Sequence, residues 1–301
     1  MRGFVVTPTG RGDGPFPLLV MPASWGAPNL EYVGAARKLA AESGDVVISY
    51  SSRGFYDSGG EIDVAGPDTV NDVSRVIDWA LANTRADPSK VGVAGISYGA
   101  GIGLLAAAND SRIKAVASMS TWADLEASLY PNHTVSQLSA GALLAVAQVA
   151  GRPGPDLRRI TAEFLQGKID YARQLAPSRS ASTKVDKINA NGAAILIANS
   201  WQDAIFPPNQ AVDFYDRLRV PKRLMLQRRR PRDLGTARRG GAVQRRVERG
   251  HEVVRSLPQR SRQRHQPDAA SPVDVGQRRN MARLPLFVCR GDGDGQDLVG
   301  Q

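Results

Sequence analysis

The chain has 301 residues, enough for one large domain or two small ones, and 42% of them are apolar, in the globular range. Its single cysteine, Cys289, excludes an intrachain disulfide framework, and no apolar run reaches the ~18 residues that a membrane-spanning helix needs. The net charge of +10 is confined: residues 228–301 hold 17 Arg, no Lys and 8 acidic residues, whereas residues 1–227 hold 22 basic and 21 acidic ones, so the first 227 residues carry no charge signal for nucleic acid or membrane.

In chain order, Gly3–Pro8 suggests an early strand without its usual hairpin partner, as if an upstream segment, even an export signal, were missing. As written, the chain has the character of a cytoplasmic protein; with such a segment, of a secreted one. Short apolar runs follow at Pro17–Met21 (PLLVM), Asp45–Tyr50 (DVVISY), Val91–Ile96 (VGVAGI), Ala115–Met119 (AVASM), Ala193–Ala198 (AAILIA) and Arg223–Leu226 (RLML). Continuous runs rich in Val and Ile suit parallel strands buried on both faces. Helical stretches lie between them: Leu30–Ser43, Thr69–Asn83, Tyr98–Asn109 and Asn209–Arg219. Val70, Val73, Val76, Ile77 and Leu81 have helical spacing, with Asp68 or Thr69 as the cap. This alternation predicts a doubly wound, mostly parallel α/β fold. From about Tyr130 to Ser182 the strands stop, and helices are predicted at Ser136–Val149 and Asp156–Gln174. Such an insertion either caps the strand ends, where these folds bind ligands, or lies elsewhere on the surface.

Gly95-Ile96-Ser97-Tyr98-Gly99 matches G-x-S-x-G, with an apolar strand before it and a small-residue helix after it. That context is the nucleophile elbow of an α/β-hydrolase, which lifts a serine hydroxyl above the strand ends. The Tyr98 N–H, at the helix N-terminus, is the expected oxyanion donor. The alternative is a glycine-rich turn with an idle serine. Asp203, in the loop after AAILIA, can orient an imidazole or merely cap the helix that follows Pro207-Pro208; Asp124 is the reserve acid. Ser24 and Trp25, after the first core strand, stand where the second oxyanion donor belongs, or in a plain loop. Arg53, in the loop RGFYDSGG, is given a structural role, paired with Asp57 or another buried carboxylate. No metal cluster, phosphate loop or cofactor motif is present in the sequence.

The pieces SRGFYDSGG, GISYGA, WQDAIFPP and PKRLMLQ together resemble the X-Pro dipeptidyl-peptidase-like and cocaine-esterase-like serine hydrolases, over about residues 3–227. The resemblance implies a Ser97–Asp203 pair, a helical cap at about 130–182, and cleavage of an ester, an amide or an X-Pro peptide. It also implies a histidine shortly after Gln227, and none is there. The three histidines are His133, in the insertion, and His251 and His265, in the arginine-rich segment.

Residues 228–301 hold one aromatic, Phe287, and no sustained period, so they are expected to be irregular. They suit a basic arm for nucleic acid or a change of reading frame in GC-rich DNA. One base downstream, the codons from Arg229 onward permit GDHGT, with the histidine from the codon of Pro231, followed by an aromatic-rich amphipathic helix. The function expected is a serine hydrolase acting on a small molecule or peptide, impaired by the missing histidine. A non-catalytic binding protein of the same fold is the alternative, and nucleic-acid binding through the tail the third reading.

Overall fold

The apolar runs join into one sheet. The computed structural model describes residues 1–227 and 286–288. The strands are β1 (Arg2–Val6), β2 (Phe16–Pro22), β3 (Val46–Ser51), β4 (Ala86–Ile96), β5 (Ile113–Met119), β6 (Ala194–Ser200), β7 (Lys222–Gln227) and β8 (Leu286–Val288). Among the described residues they form an eight-stranded sheet in the order β7-β6-β5-β4-β2-β3-β1-β8. Neighbours from β7 through β3 are parallel. β1 is antiparallel to β3, and β8 to β1. β8 falls in the segment predicted to be irregular; the rest of that segment, with His251 and His265, lies outside the described residues.

The helices are α1 (Val33–Ser43), α2 (Pro67–Asn83), α3 (Tyr98–Asn109), α4 (Leu125–Leu129), α5 (Gln137–Ala150), α6 (Pro155–Leu165), α7 (Asp170–Leu175), α8 (Val185–Asn191) and α9 (Pro208–Arg217). The period of two along each strand divides the apolar runs between two cores. Leu18, Val20 and Ile48 pack with α2 and α3 on one face, and Leu19, Met21 and Val47 pack with α1 on the other. Both faces are covered, so the strands need no polar alternation. α3 is buried at every position from Tyr98 to Ala108, which a helix apolar all round requires. On α2, burying Val73, Val76 and Ile77 contributes about 1.5–3 kcal/mol each.

Several elements differ from the sequence prediction. α2 starts at Pro67, a residue suited to the first helical position, so neither Asp68 nor Thr69 is its cap. Instead the Asp63 carboxylate accepts from the Thr69 N–H at 3.1 Å and from its hydroxyl. The helix predicted over Asp156–Gln174 is two: Gly167, at φ +72°, turns the chain between α6 and α7. α4 and α8, of five and seven residues, are too short to show a period. Among the described residues no helix is long and apolar enough to cross a membrane.

Candidate active site

In a parallel sheet the carboxyl ends of β2, β4, β5 and β6 share one edge, and the loops that leave them meet there. Ser97 is the residue between β4 and α3, held at φ +56°, ψ −118°. A non-glycine residue there costs about 1–3 kcal/mol, so its surroundings must fix it. They do: the Ser97 N–H donates to the Met119 carbonyl at 2.9 Å, and its carbonyl accepts from Ala100 and Gly101, each at 3.1 Å. A Cβ on Gly95 would sit 2.6 Å from the Gly99 carbonyl carbon, and one on Gly99 would overlap the Pro22 carbonyl. Only glycine lets helix and strand approach this closely. The Ser97 hydroxyl makes no hydrogen bond among the described residues, and Ser97 lines a cavity of about 160 Å³.

Two of the residues expected to supply oxyanion donors line the same cavity. Tyr98 and Trp25 both line it, and neither backbone N–H is hydrogen-bonded among the described residues. Ser24 differs. Its amide donates to Glu31 Oε2 and its hydroxyl to Oε1, both at 2.8 Å, so neither donor is left for an oxyanion. Burial pushes the Glu31 carboxyl up, against these two hydrogen bonds.

Asp203 stands in the loop after β6, half-buried. Its Oδ1 accepts from the Ile205 and Phe206 amides at 3.1 and 3.0 Å, a turn inside the loop rather than the helix cap weighed as the alternative, since α9 has Pro207 at its N-cap and receives no side-chain hydrogen bond there. Its Oδ2 accepts no hydrogen bond among the described residues. Buried Asn199 and Gln210 fix this loop: Asn199 bridges Thr121 N–H and the Phe206 carbonyl, and Gln210 accepts from Ala123 and donates to the Thr121 and Pro207 carbonyls. The reserve acid, Asp124, is spent. It caps α4 through Ala127 N–H and accepts from Ser182 Oγ, each at 3.0 Å. His133 is exposed, with its ring 5.7 Å from that of Tyr130, and it does not line the cavity. The residues after Gln227, where a histidine was sought, lie outside the described ones.

The cavity has an aromatic floor that sequence reasoning missed. Trp25 meets Tyr98 edge-on at 4.8 Å, Tyr98 stacks on Trp122 at 6.1 Å, and Trp122 meets Phe206 at 5.6 Å. The available signal was an aromatic in each loop after β2, β5 and β6. Its walls come from α4 to α7. Two indole N–H groups tie that helical segment to the floor: Trp25 Nε1 donates to the Leu143 carbonyl at 2.8 Å and Trp122 Nε1 to that of Arg179 at 2.7 Å. Arg53 does not pair with Asp57, which meets Arg2. It grips buried Asp72 through two bonds of 2.8 Å and reaches Asp68 at 2.9 Å.

The model of the X-Pro dipeptidyl-peptidase (S15 family) matches residues 3–230. An uncharacterized 31.7 kDa protein of the traX-finO intergenic region of Escherichia coli is 25% identical over 195 residues, 58% of this chain and 68% of that protein. Among solved structures, alpha/beta hydrolase GrgF from Penicillium sp. sh18 is similar with TM-score 0.57 and 16% identity, over 84% of this chain and 92% of that one. The Pyrococcus horikoshii acylaminoacyl peptidase is similar with TM-score 0.57 and 15% identity, over 88% of this chain and 40% of that one. These likenesses establish the fold, that of the α/β hydrolases.

Proposed function

Because the chain belongs to the X-Pro dipeptidyl-peptidase (S15) family, we propose that its site is that of a serine hydrolase, cleaving an ester or amide through an acyl-enzyme at Ser97. One observation carries this reading: Ser97 is held at positive φ between a strand and a helix N-terminus, beside the cavity. In this scheme the Ser97 hydroxyl attacks the substrate carbonyl carbon and passes its proton to a base. The oxyanion is met by the Tyr98 and Trp25 amides and by the positive end of α3. The tetrahedral intermediate collapses with loss of the alcohol or amine, which takes up the proton. Water then releases the acid from Ser97. Asp203 Oδ2 is the group to orient the base, and α4 to α7 form the cap that selects substrate.

The base is the missing part. With no histidine shortly after Gln227, turnover falls to what binding and the oxyanion donors sustain, about 10³–10⁴-fold over water. The shifted reading frame is our account of the gap, since it places a histidine at the codon of Pro231.

A fluorophosphonate probe tests the nucleophile. Slow labelling of the intact chain at Ser97, abolished in Ser97→Ala, is expected. No labelling, or labelling unchanged in that variant, would overturn it. Among the described residues no histidine lines the cavity, and a second reading fits that: a binding protein of the same fold, which would hold ligand without labelling.

A further inference from the structure

The cavity above Ser97 is apolar. Leu125, Leu143, Leu144, Ile160, Phe164 and Ile169 line it, from α4, α5, α6 and the turn before α7. Two carboxylates also reach it, and both are spoken for. Glu126 is paired with Arg173 at 2.8 Å. Glu163 is paired with Arg159 at 3.1 Å and accepts from the Tyr171 N–H at 3.0 Å. The lining cations are engaged as well: Arg179 meets Asp156 at 3.0 Å, and Lys168 donates to Gln166 at 3.2 Å.

A peptide with a free amino terminus would bring an ammonium group into this space, and an unpaired cation is strongly disfavoured in an apolar site. An aliphatic chain would meet the Leu, Ile and Phe side chains that make up most of the lining surface. The volume, about 160 Å³, compares with the ~150 Å³ apolar cavity that stays dry and takes a benzene-sized guest. We propose that this site takes an uncharged ester whose acyl group is a medium aliphatic chain of about six carbons, the size of that guest, in preference to an X-Pro peptide. The proposal rests on the serine-hydrolase reading for the orientation of the ester, with its carbonyl toward Ser97.

The test uses the intact chain carrying Ser97→Ala, so that no ester is consumed, and the fluorescence of Trp25 and Trp122, which line the cavity. Ethyl acetate, ethyl hexanoate and Ala-Pro amide are titrated in turn. Each added methylene should tighten binding about fourfold, so ethyl hexanoate should bind on the order of 100-fold tighter than ethyl acetate. Ala-Pro amide should bind more weakly than ethyl hexanoate. Ile160→Glu should reverse that order, and Ile160→Met, which keeps the volume, should preserve it. Equal affinity for the two ethyl esters, or tighter binding of Ala-Pro amide, would overturn the proposal, as would no binding at all. Fluorophosphonate labelling separates the two ideas: a labelled Ser97 with no chain-length preference removes only the substrate class, and a chain-length preference with no labelling removes only the nucleophile.

Discussion

The Ser24 hydroxyl has one proton and two acceptors within reach: Glu31 Oε1 at 2.8 Å and the carbonyl of Ile96, the residue before Ser97, at 3.0 Å. Glu31 thereby holds the start of the loop that presents the Trp25 amide. Its folded-state carboxyl is pushed up by burial, so the folded chain takes up this proton more readily than the unfolded one. The sign follows: stability falls as pH rises through the range just above the ordinary glutamate value, and a constant cost remains beyond it. Glu31→Gln should therefore flatten the pH dependence of urea unfolding in that range. Glu31→Ala should leave the Ser24 N–H unsatisfied and cost about 1–3 kcal/mol at neutral pH; equal unfolding midpoints for Glu31→Ala and the parent chain would contradict the role. At this scale the elbow was legible in the sequence because Gly95, Ser97 and Gly99 act on one another within five positions. The occupation of Ser24 was not, because Glu31 reaches back across a turn that no motif marks.

Among elements, the loop after β3 is fastened by charge. Asp72 is 2% exposed and meets Arg53 in a two-bond pair, whereas Asp68, on the same guanidinium, is 66% exposed at its side chain. Burial pushes Asp72 up and Arg53 pulls it back. Arg53→Ala should leave buried Asp72 with only the half-exposed Arg75, at 3.5 Å, and cost about 3 kcal/mol, while Asp68→Ala should cost no more than about 1 kcal/mol. Equilibrium unfolding of the two variants checks the contrast, and equal losses would mean that the pair is not what fastens the loop. The pairing was half legible: the sequence pointed Arg53 to a buried carboxylate, but α2 had to be placed before Asp72 could be distinguished from Asp57. Between β5 and β6 the helical character of α5, α6 and α7 was legible in the sequence, while the short α4 and α8 were not. Their seat over the strand ends was one of two placements the sequence left open, because the bond that fixes it, Trp25 to Leu143, spans 118 positions.

For the whole molecule, the two faces of the sheet are unequally furnished. One core gathers α2, α3, α8 and α9. In the other, which holds Phe4, Leu19, Val47, Ala117 and Leu196, α1 is the one α-helix among the described residues. The resemblance implies a histidine shortly after Gln227, and the shifted frame would supply it together with an aromatic-rich amphipathic helix. A chain carrying that frame from codon 229 should hydrolyse an activated ester about 10³-fold faster or more. It should also melt on the order of 10 °C higher, as expected from burying two further aromatic side chains. A version of that chain with the codon-231 histidine replaced by alanine should keep the gain in melting temperature and lose the gain in rate, which separates packing from catalysis. Equal rates for all three chains would end the proposal. The gene offers a test that needs no protein at all: third-position bases from codon 229 onward that do not permit GDHGT would exclude the shift, and the arginine-rich segment would then need a function of its own, with salt-dependent nucleic-acid binding the first to measure.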